Sequence, residues 1–176
     1  MVTMRLLAEE RRTGTLEMLI TLPVKDSEVI LGKYLGALGL VLVLIAATAL
    51  YPILMFKWPW HLGPLDAGPV ISGYVGIILY SAATVAIGLM VSSFTESQVV
   101  AFFVTFIVLL IMHEMSVIGE FAPSHLGELM RTLSFDTNLA RFSRGLVDSR
   151  NVIYFLSITG VCLMVAFRSL ENRKWS

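Results

Sequence analysis

The sequence predicts an all-α integral membrane protein with four membrane-spanning helices, an amphipathic N-terminal segment ahead of them, and short interfacial or re-entrant helices before the last span. Three observations carry this. Of the 176 residues 56% are apolar and 15% charged, against about 25% charged in a soluble domain. The charges are unevenly placed, because the runs 34–56, 67–95, 97–112 and 151–167 contain no Asp, Glu, Lys or Arg. Crossing roughly 30 Å of hydrocarbon takes about 20 helical residues. The first two runs exceed that length; the third and fourth reach it with help from 113–117 and a snorkelling Arg168. The spans are therefore placed near 34–56, 67–92, 97–117 and 151–168, within one membrane domain covering 1–176.

Composition also narrows the function classes. Net charge is zero, so no global basic field points to nucleic acid as a partner. The single cysteine, Cys162, sits in the fourth run as a small apolar side chain, and no disulfide framework exists. The N-terminus, MVTMRLLAEERR, lacks the apolar core of a signal peptide, leaving the spans themselves to direct insertion.

Taken in order, residues 5–31 are amphipathic rather than spanning. Arg5, Glu9, Glu10, Arg11 and Arg12 form a polar cluster, Gly14 loosens the helix, and Leu16, Leu19 and Ile20 resume an apolar face. Pro23 ends that helix. Asp26 or Ser27 can cap a new one, with Glu28 in its positive first turn, running through Lys33 into the first span. There Gly32, Gly36 and Gly39 carry a G-x-x-x-G spacing. Two readings fit it: a surface for close helix approach, or glycine simply tolerated in a membrane helix.

The turn 57–66, KWPWHLGPLD, places Trp58 and Trp60 at headgroup depth and leaves His61 as an exposed loop residue. The second span ends at Ser92, Ser93 and Phe94. Thr95 and Gln98 then match a capping box opening the third helix, which predicts a tight hairpin. Residues 119–150 are too polar to span. Ser124 after Pro123 is a plausible cap. Leu126, Leu129, Met130 and Leu133, then Phe135, Leu139, Phe142 and Leu146, repeat at helical spacing opposite Arg141 and Arg144, which predicts two short extracytoplasmic amphipathic helices.

Basic residues set the orientation. An even number of crossings puts both termini on one side, and the positive-inside rule makes that side the cytoplasm of a multi-pass cell-membrane protein. Arg5, Arg11, Arg12, Lys25, Lys33, Arg168, Arg173 and Lys174 then lie inside, with Lys57, Arg131, Arg141, Arg144 and Arg150 outside.

Catalytic and cofactor patterns are missing from the sequence. Gly32 and Lys33 are followed by Tyr34 and lack the upstream glycine of a Walker A loop, so this chain is not expected to hydrolyse ATP. His113 and Glu114 do not extend to H-E-x-x-H, because position 117 is valine. Met112, His113 and Met115 make a weak soft-metal set, and an interface anchor is the preferred reading of His113. The spans offer only scattered hydroxyls, such as Thr48, Ser81, Thr84, Thr105 and Ser157, with no nucleophile–base spacing. No catalytic residue, metal site or cofactor is expected.

One stretch is more specific. Residues 4–38, MRLLAEERRTGTLEMLITLPVKDSEVILGKYLGAL, resemble type-2 ABC exporter permeases, particularly the gliding-motility-type and copper-maturation-type subfamily. The family's E-E-x-x-x-G-T-x-E segment is matched by Glu9, Glu10, Gly14, Thr15 and Glu17. Residues 73–102 are similar to its fourth span, short loop and fifth span, and 140–160 with 167–175 to its closing region. The resemblance covers essentially the whole chain and is silent on substrate.

The resemblance implies that residues 9–20 form a cytoplasmic coupling helix docked in a groove of an ATP-binding subunit, with Leu16, Leu19 and Ile20 as contacts and Glu9, Glu10, Arg11, Arg12 and Glu17 as the polar rim. It implies a second permease copy or related chain as partner. It also implies six spans, of which this chain carries the last four, so two more are expected upstream. The function that follows is the permease subunit of an ATP-binding-cassette transporter, with ATP hydrolysed on a separate chain. The competing reading is a non-transporting membrane anchor or assembly subunit of a motility or metalloenzyme-maturation complex.

Overall fold

A computed structural model of the chain describes residues 26–57, 66–95 and 97–171. These form helices only: α1 Asp26–Thr48, α2 Leu50–Lys57, α3 Ala67–Phe94, α4 Gln98–Ile118, α5 Ser124–Leu133, α6 Phe135–Ser143 and α7 Ser149–Glu171. Among the described residues four segments are long and apolar enough to cross a membrane: Ser27–Met55, Ala67–Phe94, Gln98–Ile118 and Ser149–Glu171. Residues 26–31, placed by the sequence ahead of the first span, are continuous with it. The last helix runs past the uncharged stretch at both ends, taking in Arg150 and Arg168.

The first span is broken at Ala49, between α1 and α2. Pro52 is the physical cause: it has no N–H for the carbonyl of Thr48, and its ring crowds that carbonyl. The helix resumes with Ile53 N–H donating to Ala49 O at 3.3 Å.

Asp66 caps α3, its Oδ1 accepting from Gly68 N–H at 3.0 Å, and Pro69 is tolerated in the first turn, where N–H groups have no helical partner. The capping box expected at Thr95 does not form. Thr95 is instead the C-cap of α3, its hydroxyl donating back to Val91 O at 3.3 Å. Ser97 takes the N-cap of α4 without a side-chain bond. A threonine three residues before a glutamine served the end of one helix better than the start of the next. Similarly, α5 begins at Ser124 itself, with Pro123 in the N-cap position.

The central helix is α3, which packs against α1, α4, α6 and α7. Tyr80 meets Phe155 edge-on at 6.3 Å, and Ser169 Oγ donates to Ser93 O at 3.1 Å. Both contacts join residues separated by nearly the same number of positions, so α3 and α7 run parallel in constant register. The flanking helices are less enclosed. In α4 only Ala101 is buried, and α1 turns Ile30, Tyr34 and Ala37 to the core while Leu31, Leu35, Val43 and Leu44 are exposed.

Candidate functional site

Two ends of the bundle can be distinguished: a hairpin end at the α3–α4 turn, and a cap end where α5 and α6 cover the starts of α3 and α7. The cap is fastened by side-chain hydrogen bonds to backbone carbonyls. Ser72 Oγ lies 2.7 Å from Phe142 O, with Gly68 O at 2.9 Å as an alternative acceptor on its own helix. Ser134, the hinge between α5 and α6, donates to His113 O at 3.2 Å. Asn138 Nδ2 reaches back to Thr132 O at 2.9 Å and Ser134 O at 2.8 Å. The Tyr154 hydroxyl donates to Leu133 O.

Aromatic rings fill the space beneath these bonds. Phe135, Phe142 and Phe155 are fully buried. Phe135 lies 5.4 Å from Tyr80 and 5.7 Å from Phe155, and Phe142 lies 6.4 Å from Phe155. Offset and edge-on pairs at such distances contribute about 0.5–1.5 kcal/mol each beyond area burial. The cluster joins α3, α6 and α7 into one unit.

Two glycine positions allow this approach. A Cβ on Gly76 would come within 2.7 Å of Phe142 Cβ, and one on Gly127 within 2.5 Å of Gly119 O. The first brings α6 onto α3; the second brings α5 onto the end of α4, where Arg131 also pairs with Glu120 at 3.6 Å.

Lower in the bundle, the Tyr34 hydroxyl donates to Ala82 O at 3.3 Å, pinning α1 to α3. An apolar cleft of about 380 Å³ lies between α3, α4 and α7, lined among others by Ile87, Met90, Val108, Met112, Ile158 and Cys162. A second pocket of about 680 Å³, with a mixed polar and apolar lining, sits at the α6–α7 turn, lined by Arg141, Arg144, Leu146, Val147, Asp148 and Ser149. Asn151 is buried, and its Nδ2 is the one buried side-chain polar atom left without a partner among the described residues.

The sequence-predicted residues are distributed differently. Glu9, Glu10, Arg11, Arg12, Gly14, Thr15, Leu16, Glu17, Leu19 and Ile20 lie outside the described residues, as do Trp58, Trp60 and His61. Gly32, Gly36 and Gly39 have nothing within 4 Å of an added Cβ, so among the described residues no neighbour packs closely on them. Of the set Met112, His113 and Met115, Met112 lines the apolar cleft and Met115 is half-buried, whereas His113 is exposed. Among the described residues no group of three or more His, Cys, Asp or Glu could hold a metal ion.

What sequence reasoning missed is the packing of α3 on α6. The pattern was present, since Gly68, Ser72 and Gly76 recur every four residues, as do Thr84, Gly88 and Ser92. Small residues at that interval let helices come close in a membrane.

Three span-length apolar helices around a fourth, small-residue central helix, with a helical cap at one end, define a multi-pass membrane domain. The family model for ABC-2 family transporter proteins matches residues 1–174, and the chain belongs to that family. It is therefore a membrane permease component of an ABC transporter, a class that works with an ATP-binding subunit and is not itself catalytic. Neither the curated proteins nor the solved structures returned a match.

Proposed function

We propose that this chain is the permease half of an ABC transporter, working with a second copy or a related chain, and that residues 9–20 are the coupling segment that docks in the ATP-binding subunit. The family match over 1–174 carries this reading, because it includes that segment together with all four spans. Closure of two ATP-binding subunits on ATP would displace the docked segment and tilt the spans connected to it. Spans α3 and α7 are held to each other and to the cap helix α6 by buried rings and carbonyl bonds, whereas α1 and α4 touch the core along narrow faces. That asymmetry suits a rigid unit against which flanking helices shift. The exposed faces of α1, including Gly32, Gly36 and Gly39, and of α4 are available to the partner permease chain or to lipid. The cap helices α5 and α6 lie at the extracytoplasmic surface, and both termini lie in the cytoplasm of a cell-membrane protein.

The coupling role is tested by Glu17→Lys. Reversing one rim charge opposes a complementary docking groove without touching a span. Insertion should be unchanged while ATPase activity, measured with the ATP-binding subunit in proteoliposomes, loses its dependence on the permease. If association and coupled turnover are unaltered, residues 9–20 are only a solvated face.

A further inference from the structure

We propose that the turn between α6 and α7 is a binding site for the phosphate of an anionic phospholipid headgroup. The turn is preordered. Gly145, at φ 83°, closes α6 with Gly145 N–H donating to Phe142 O at 3.1 Å and Leu146 N–H donating to Arg141 O at 3.2 Å. That pair of bonds is a Schellman arrangement, which needs a left-handed residue at this position and so favours glycine. An added Cβ there would lie 3.4 Å from Pro69 Cγ, so the turn is backed by the first turn of α3.

The closed turn sets Arg141 and Arg144 beside the first residues of α7, around a pocket of about 680 Å³. Its charge is unbalanced. Asp148 is the single acidic residue lining it; its Oδ2 lies 3.8 Å from Arg141, and its Oδ1 accepts from Arg150 N–H at 3.0 Å. Arg144 and Arg150 have no carboxylate partner among the described residues. Guanidinium groups present planar paired donors that match phosphate oxygens.

The rest of the lining argues for a lipid rather than a soluble anion. Leu146 and Val147 are 62% and 58% exposed, an apolar pair directly between Arg144 and Asp148 at the end of a span-length helix. In a bilayer that pair sits among acyl chains near the surface while the guanidiniums reach headgroup depth. Free phosphate would use the arginines and leave the apolar pair without a role. The site does not depend on the docking of residues 9–20.

The experiment measures lipid binding to the purified full chain by native mass spectrometry and thermal melting. Phosphatidylglycerol, phosphatidylcholine and inorganic phosphate are added separately. Phosphatidylglycerol should bind in preference to phosphatidylcholine and raise the melting temperature further. Arg144→Gln should weaken that binding about fivefold, as expected for one surface cation, with part regained in Arg144→Lys. Arg131→Gln, on α5 away from the pocket, should leave it unchanged. Equal binding of both lipids, full binding by Arg144→Gln, or an equal loss in Arg131→Gln overturns the site. A stabilisation by inorganic phosphate that matches the lipid and disappears in Arg144→Gln overturns the lipid as its source.

Discussion

A single hydrogen atom on Gly76 decides how closely α6 can lie on α3. Any side chain there would press on the Cβ and ring of Phe142, which is fully buried and wedged against Phe155. Overpacking of a filled core costs about 1–3 kcal/mol, and here it would also lengthen the contact between Ser72 and Phe142 O. Gly76→Ala should therefore lower the stability of the detergent-solubilised chain by about that amount in a thermal or denaturant melt. Gly160→Ala is the control, since nothing lies within 4 Å of its added Cβ, and helix propensity there favours alanine. Equal stability in the two variants would show that the cap is not fixed at Gly76. The glycines first singled out in the sequence, Gly32, Gly36 and Gly39, turned out to face away from the core. Their G-x-x-x-G spacing resembles that of Gly68, Ser72 and Gly76, and spacing reports only that a close approach is permitted. Which stripe meets a neighbour in the same chain is decided by the tertiary arrangement.

Among the helices, α3 shows how far periodicity carries. Its small residues recur every four positions, and four residues turn an α-helix by about 40° beyond a full circle. The stripe therefore winds around the helix, facing α6 near Ser72 and Gly76 and reaching buried surroundings again at Gly88 and Ser92. The existence of four apolar helices was legible because it rests on length and charge depletion alone. The break at Ala49 follows from Pro52 and was equally open to reading. The fate of Thr95 was not, because a capping pattern cannot say which of two adjacent helix ends its hydroxyl will serve. The alternation in α5 and α6 was also visible, and the two helices use it differently. Phe135 and Phe142 of α6 are buried, whereas Leu126, Leu129 and Leu133 of α5 are exposed beside Phe121 at 88% exposure. An amphipathic helix with an uncovered apolar face belongs at the membrane interface. An environment-sensitive fluorophore attached at Leu129→Cys in nanodiscs should emit as in an apolar medium, while one at Glu128→Cys emits as in water. Matching spectra from both sites would place α5 away from the lipid surface.

For the molecule as a whole, the alternation of directions fixes which residues share a side. α1 rises from the hairpin end to the cap end, α3 descends, α4 rises, and α7 descends parallel to α3, so the beginning of α1 and the end of α7 lie at the hairpin end. Tyr34 bonded to Ala82 and Thr48 lying 3.3 Å from Tyr74 hold α1 antiparallel to α3. Ser169 against Ser93 places the end of α7 beside the α3–α4 turn. Lys33 and Arg168 therefore belong to one end, and Arg131, Arg141, Arg144 and Arg150 to the other. Two opposed pulls follow from this division. The positive-inside rule weighs basic residues near the span ends, and the cap end carries enough of them to weaken the bias. Against that, Arg5, Arg11, Arg12, Lys25 and Lys33 all precede the uncharged run 34–56, and Lys57 alone directly follows it. Both termini are thus expected in the cytoplasm. In intact cells, a membrane-impermeant thiol reagent should label His61→Cys and Ser149→Cys but not Asn172→Cys, each introduced into a Cys162→Ala background. Labelling of Asn172→Cys with protection of His61→Cys would invert the molecule, and the pocket at the α6–α7 turn would then face the cytoplasmic leaflet.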